Sequence, residues 1–498
     1  MIKKDKSQKY LFYGSLLIYV FLVFKIIYGI YTITIYEDLF IALFVLTSVT
    51  FIPLLLLIAR RNFNLFEPIY IYIHFFAIFY IYSTYYILNN DDVAVKLFQS
   101  VKFEVSDPST VTVIYLLAIS IIFLYIGYIL SNFLHRSKIF SFLDKNKMYL
   151  YEKYFNTSII LYIVIVLFRF YGYGAGFLGS TANESGIDVS NIPMISLFYF
   201  LSNNWYIFFT YFCILSFSSS KYYKIFITVF LLEFLFSMMS GNRRYIIVMA
   251  FSYLAVYWYV NHMFPWKKII IPSVFILFVF LPISTIYGYY LANNIGTSLT
   301  MIDSLGYLLD AGSYFFNTDD KSLMFNYIFF PIVQSFNLLS NVTIAYTEFY
   351  LNDLALGPIG IKSFLGQLVP TFLNPDKHDY SRQFLQLYGD NAYIKSREHS
   401  TLSISFATEM IISYGIIGIF IGHFIIGFLM NLFYKYLNNI HTPIFFQIFY
   451  ISNLFFFSYG LNGNWLGGDM VLTYRLLVYF VVVYIFYKFL LLQFKKKE

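Results

Sequence analysis

The sequence predicts an all-α polytopic membrane protein with about twelve transmembrane helices and one large outer loop. Three observations lead there. Of the 498 residues, 59% are hydrophobic and only 12% charged, where a soluble domain carries about 25% charge. The apolar residues come in unbroken runs of about 20, the length that carries a helix across ~30 Å of hydrocarbon with every backbone amide paired internally. Cations are partitioned between alternate connections, as membrane orientation requires. So little charge cannot cover a soluble surface, which excludes a cytosolic enzyme, a secreted disulfide scaffold and a disordered chain. The ~10-residue alternation of a transmembrane β-barrel is missing, and the single cysteine, Cys213, leaves no disulfide framework.

The expected spans are 11–31, 39–58, 68–88, 111–131, 157–174, 194–215, 223–240, 244–262, 269–289, 412–434, 442–460 and 469–491. The first follows Lys3, Lys4, Lys6 and Lys9; it is too long for a signal-peptide core and no small-residue cleavage site follows it, so it reads as an uncleaved anchor. Arg60 and Arg61 close the second span. Arg136, Lys138, Lys145, Lys147 and Lys153 separate the fourth from the fifth, and Lys221 and Lys224 the sixth from the seventh. Lys267 and Lys268 lie between the eighth and ninth, Lys435 between the tenth and eleventh, and Lys495, Lys496 and Lys497 follow the twelfth. With both termini cytoplasmic, the inner segments hold 19 of the 33 Lys and Arg against 5 acids, and the outer segments 11 cations against 20 acids. The net charge of +7 is therefore membrane orientation and implies no nucleic-acid partner. No phosphate-binding glycine motif, zinc spacing or 20–50-residue repeat is present.

Three regions follow: helices one to nine over 1–289, an outer loop domain over 290–411 with amphipathic helices, and helices ten to twelve over 412–498. The loop of 122 residues far exceeds the ~12–15 at which an unstructured connection becomes unusual. Within it, 324–346 is apolar but carries Asn326, Pro331, Gln334, Asn337 and Asn341. A thirteenth crossing there would place the C-terminal lysines outside, so the segment reads as a helix at the outer interface or packed on the bundle. Gly357, Pro358 and Gly360 mark a turn before a short helix near 362–369 that Pro370 ends.

Charge placed against the orientation bias points to chemistry. Ser240-Gly241-Asn242-Arg243-Arg244 puts the only adjacent pair of outer cations at a glycine turn and helix start, where guanidinium forks and free N–H groups hold phosphate. A second group closes the loop: Lys377, His378, Arg382, Lys395, Arg397, Glu398 and His399, cations for a diphosphate beside an imidazole and a carboxylate for proton transfer. Glu409 precedes the tenth span, as a dipole-stabilised carboxylate or part of the transfer point. Arg169 and Arg475 lie in the outer parts of spans five and twelve, facing a cavity or reaching to the headgroups. Glu233, within span seven, calls for an internal partner, for which Lys25 is a candidate. His74 and His423 read as packed, hydrogen-bonded histidines, and Gly418-x-x-x-Gly422 as a helix-packing face. Outer cations at the lipid boundary suit an anionic substrate whose tail stays in the bilayer, such as a polyprenyl-diphosphate-linked sugar. Arginines performing the charge work would make a metal or other cofactor unnecessary.

Taken in order, Ser240 to Arg244, Gly357-Pro358-Ile359-Gly360, Val369-Pro370, Asn374-Pro375-Asp376-Lys377, Ser400-Thr401-Leu402-Ser403, Glu409 and Tyr414-Gly415-Ile416-Ile417-Gly418 resemble the Wzy-type O-antigen (oligosaccharide repeat-unit) polymerases over about residues 230–440. The resemblance implies a GT-C-like glycosyltransferase of the bacterial inner membrane. It would polymerise undecaprenyl-diphosphate-linked repeat units into surface polysaccharide on the periplasmic side, with membrane lipid and a chain-length regulator as further partners. Carried over, Arg243 and Arg244 serve substrate diphosphates, and Arg397, Glu398 and His399 with Glu409 lie near the transfer point. Charge and position add Arg382, Arg397, Lys395, Lys377, Arg169 and Arg475 as candidate substrate-binding cations, with His399 the candidate base and Glu398 its rival. The alternatives are a lipid-linked oligosaccharide flippase or an O-antigen ligase. A flippase needs no 122-residue outer domain, and the arginine-rich loop start usual in ligases is not evident.

Overall fold

The structure is a computed structural model. It describes residues 2–32, 36–60, 66–88, 108–134, 149–174, 205–240, 243–261, 279, 283, 286–287, 301–317, 338–352, 405–437 and 444–463. Among these, all regular structure is helical: α1 (Ile2–Thr32), α2 (Glu37–Arg60), α3 (Pro68–Leu88), α4 (Pro108–Leu134), α5 (Phe155–Gly174), α6 (Trp205–Ser216), α7 (Ser220–Ser240), α8 (Arg243–Asn261), α9 (Met301–Asn317), α10 (Leu339–Ile344, continued by Ala345–Tyr350), α11 (Phe406–Leu437) and α12 (Ile444–Gly463). By length and composition, six can cross a membrane: Gln8–Thr32, Glu37–Ala59, Pro68–Leu88, Pro108–Ser131, Phe155–Gly172 and Phe406–Lys435. Trp205–Ser216 and Tyr245–Asn261 are shorter apolar helices. Of the expected spans, 469–491 lies outside the described residues, as do 194–204 and most of 269–289.

Apolar residues face outward as well as inward, as lipid-bathed helices require. On α1, Leu17, Phe24 and Tyr31 are exposed while Leu22 and Ile26 are buried against α2. The most extensive pairing is α4 with α11, and two glycines permit it. A Cβ at Gly127 would stand 2.1 Å from the Phe424 carbonyl oxygen, and one at Gly427 would stand 2.0 Å from that of Leu124. Each helix thus gives up a side chain where the other's backbone arrives.

One end of the bundle is tied by hydrogen bonds between helix ends. Tyr128, near the end of α4, donates to the buried Glu67 carboxylate just before α3. Asn431, late in α11, donates to the Tyr128 carbonyl at 2.7 Å, and Tyr450 of α12 donates to the Phe66 carbonyl at 3.3 Å. Tyr151, in the helical turn Tyr149–Glu152 before α5, donates to Gln447 at 2.6 Å, and its carbonyl accepts from Tyr211 of α6 at 2.7 Å. Burial pushes the Tyr151 phenol above its ordinary pKa, which keeps it a neutral donor. At the same end, Gln8 of α1 donates to the Ile58 carbonyl at the close of α2. Starts of α1, α3 and α12 meeting ends of α2, α4 and α11 is the pattern of sequential helices that run up and down in turn.

π-turns lie at Ala77–Tyr82 in α3 and at Ala345–Tyr350 in α10. The expected helix at 324–346 is described from Leu339, runs on to Tyr350, and packs on α4 and α11 with Val342, Thr343 and Ala345 fully buried. A further loop helix, α9, was not foreseen. It turns Ala311 and Phe315 toward Ile286 and Tyr287, packs on α7, and leaves Leu309 and Phe316 exposed.

Candidate functional site

The loop returns to the bundle through α11, and not as expected. Instead of a straight span from 412, the helix starts at Phe406 and breaks at Gly415, whose φ of 66° and ψ of −158° lie in a region open almost only to glycine. Residues 406–414 fold back along 416–437. A Cβ on Gly418 would lie 2.6 Å from the Met410 carbonyl oxygen, and one on Gly422 2.8 Å from Met410 Sδ and 2.9 Å from Phe406 Cζ. The Phe406 and His423 rings are 5.3 Å apart, edge to face. In an unbroken helix residues 406 and 423 would be about 25 Å apart. The Gly418 and Gly422 face is therefore a packing face, and its partner is the chain's own preceding leg.

Ser405 caps that leg: its hydroxyl accepts from the Thr408 amide at 3.2 Å and meets the Thr408 hydroxyl at 2.8 Å, while its carbonyl accepts from the Glu409 amide at 3.0 Å. Ser405 and Thr408 are fully buried. From the Gly415 apex to the level of Ser405 is about 15 Å of helix. Glu409 lies in the first turn of this leg, the helix-start placement expected of it, and is buried at 2% exposure. Tyr350 of α10 lies over the apex, with ring carbons 3.3 and 3.4 Å from where a Gly415 Cβ would stand.

A second buried polar group joins α5 and α7. Arg169 Nη1 and Glu233 Oε2 are 2.5 Å apart, and Tyr162 donates to Glu233 Oε1 at 2.8 Å. Arg169 and Glu233 are 3% and 1% exposed. The guanidinium carbon stands 4.0 Å from the Phe236 ring centre and 6.0 Å from that of Trp205, and the Trp205 ring meets Tyr245 edge-on at 5.5 Å. Glu233 thus pairs with Arg169 and not with Lys25, whose ammonium lies over Phe21 on its own helix. The sequence located both charges within spans but carried no sign of the register that brings α5 to α7.

Arg243 and Arg244 are the first two residues of α8, the helix-start placement expected of them; their side chains fall outside the described residues. So do His399, Glu398, Arg397, Lys395, Arg382, Lys377 and Arg475. Among the described residues no group of His, Cys, Asp or Glu has metal-site geometry. His74 and His423 are packed as expected, each Nδ1 at 2.7 Å from the backbone carbonyl four residues earlier. Sequence reasoning missed the Glu67–Tyr128 pair and the role of Tyr162; a phenol is too common in this chain, with 50 tyrosines, to stand out.

No family model matches this chain, and neither a curated protein nor a solved structure does.

Proposed function

We propose that this chain is a multi-pass GT-C-like glycosyltransferase of the bacterial inner membrane, an O-antigen-type polymerase. It extends a glycan by moving the growing chain from undecaprenyl diphosphate onto an incoming lipid-linked repeat unit. The observation that carries the reading is the return of the outer loop into the bundle as a folded-back helix that buries Glu409. This supports the reading because the segment that follows the cation- and histidine-bearing stretch packs against membrane helices. The tied end with Glu67 and Tyr128 is then cytoplasmic, and the Gly415 apex and the start of α8 are periplasmic.

In this reading the leaving diphosphate is stabilised by Arg243 and Arg244 at the α8 start, where backbone N–H groups add to the guanidinium forks, with Arg382, Arg397, Lys395, Lys377 and Arg475 as further cations. His399, or Glu398 in its place, takes the acceptor hydroxyl proton as the new glycosidic bond forms and the bond to diphosphate breaks. Glu409, fixed within the hairpin, orients this segment. A flippase would need the hydrogen-bonded end of the bundle to open in each cycle, which favours the enzyme reading.

The test is Arg243→Ala in cells that depend on this protein for surface polysaccharide. Chains stop at a single repeat unit while the protein still inserts in the membrane at its normal level. Polymer of unchanged length from that variant contradicts the assignment.

A further inference from the structure

A buried ion pair is a poor way merely to hold two helices together, because well-packed apolar residues of the same volume do as well without desolvating two charges. What Arg169 and Glu233 add is a fixed geometry. Both Glu233 oxygens are taken by α5, one by Tyr162 at 2.8 Å and one by Arg169 at 2.5 Å, which fixes α7 against α5 in height and rotation. Glu233 stands seven residues before Ser240, the last residue of α7, or about 10 Å along the axis. Only Gly241 and Asn242 separate that end from Arg243. The same guanidinium lies beside Trp205, and Trp205 meets Tyr245, the residue after Arg244.

We propose that Arg169 and Glu233 are positioning residues that set the height of the α8 start, where Arg243 and Arg244 stand, through α7 and through Trp205 of α6 against Tyr245 of α8. They thereby govern how well the two cations reach the diphosphate of a lipid-linked substrate. This rests on the reading of Arg243 and Arg244 as diphosphate ligands, and it makes Arg169 act through them instead of on the substrate.

Two measurements on the full-length protein in liposomes test it. The first needs no substrate: in an Asn242→Cys background, the rate of reaction with a membrane-impermeant maleimide reports the position of the α8 start. Glu233→Gln and Arg169→Lys change that rate about fivefold or more, and the exchanged pair Arg169→Glu with Glu233→Arg brings it back toward the parent value. The second is steady-state chain extension: the single variants raise KM for the lipid-linked repeat unit about tenfold with kcat altered less than about threefold. A purely structural role would lower the amount of active protein and leave KM alone. Should the charge variants fail to insert, Tyr162→Phe and Trp205→Phe, which keep the ion pair, shift both readouts in the same direction by a smaller factor. Maleimide rate and KM both at parent values in those variants, or in the charge variants, overturn the proposal. A shifted maleimide rate in a protein whose parent form extends no chain leaves the positioning role standing and removes the polymerase reading.

Discussion

Arg169 illustrates how far a single residue can be read from a sequence. A charge within an apolar run is costly and demands a partner or a cavity. Arg169, read as facing a cavity or the headgroups, proves to be buried and to be the partner of Glu233, for which the need for pairing was legible. The identity of the partner was not, because it depends on which helices touch and at what rotation, and Lys25 satisfied the same electrostatic requirement on paper. The Glu67–Tyr128 bond is a similar case: Glu67 reads as one acid in an inner loop until α4 brings a phenol to it. Removing that donor takes a hydrogen bond from a carboxylate that stays buried. Tyr128→Phe is therefore expected to cost about 1–3 kcal/mol of stability, read as a lower unfolding temperature in detergent, with activity per folded molecule unchanged. His399→Ala is expected to do the reverse, lowering the rate of chain extension about 10²–10⁴-fold at unaltered unfolding temperature. A rate within threefold of the parent would pass the base role to Glu398.

At the scale of elements, hydropathy located the helices among the described residues well and their interruptions poorly. A straight tenth span was the natural reading of 412–434, since a window of apolar residues does not register one residue with reversed φ. Gly415 was visible as a glycine, yet glycines are common in membrane helices, and only its φ of 66° distinguishes a hinge from a packing contact. Gly415→Ala is expected to destabilise the hairpin by about 1–3 kcal/mol and to displace Glu409. Protease sensitivity between 400 and 415 should rise together with a fall in activity; an alanine variant with parent-like resistance and rate would show the reversal to be dispensable. Gly127 and Gly427 answer to steric rules alone. A side chain at either position meets backbone at about 2 Å, so Gly427→Val is expected to separate α4 from α11 and sharply reduce folded yield.

For the whole molecule, the strongest information in the sequence is the distribution of Lys and Arg, because short loops obey the orientation bias wherever they fall. The hydrogen bonds that link the start of α3 to the ends of α4 and α11 agree with that alternation without depending on charge. Orientation can be checked directly, since Cys213 is fully buried and supplies little background reactivity. Lys4→Cys should react with an impermeant thiol reagent only after cells are opened. Lys395→Cys should react once the reagent reaches the periplasm; the opposite pattern would invert the topology and put the cationic loop on the wrong side for a periplasmic transfer. The chemistry of that loop was legible only as residue types, because tertiary placement rather than local pattern decides whether scattered cations converge. The most direct test of the central claim is purified protein in liposomes supplied with an undecaprenyl-diphosphate-linked repeat unit and no nucleotide. The account predicts a ladder of products rising by one repeat unit per step, lost in Arg243→Ala. Intact substrate moved across the bilayer without any lengthened product would contradict it.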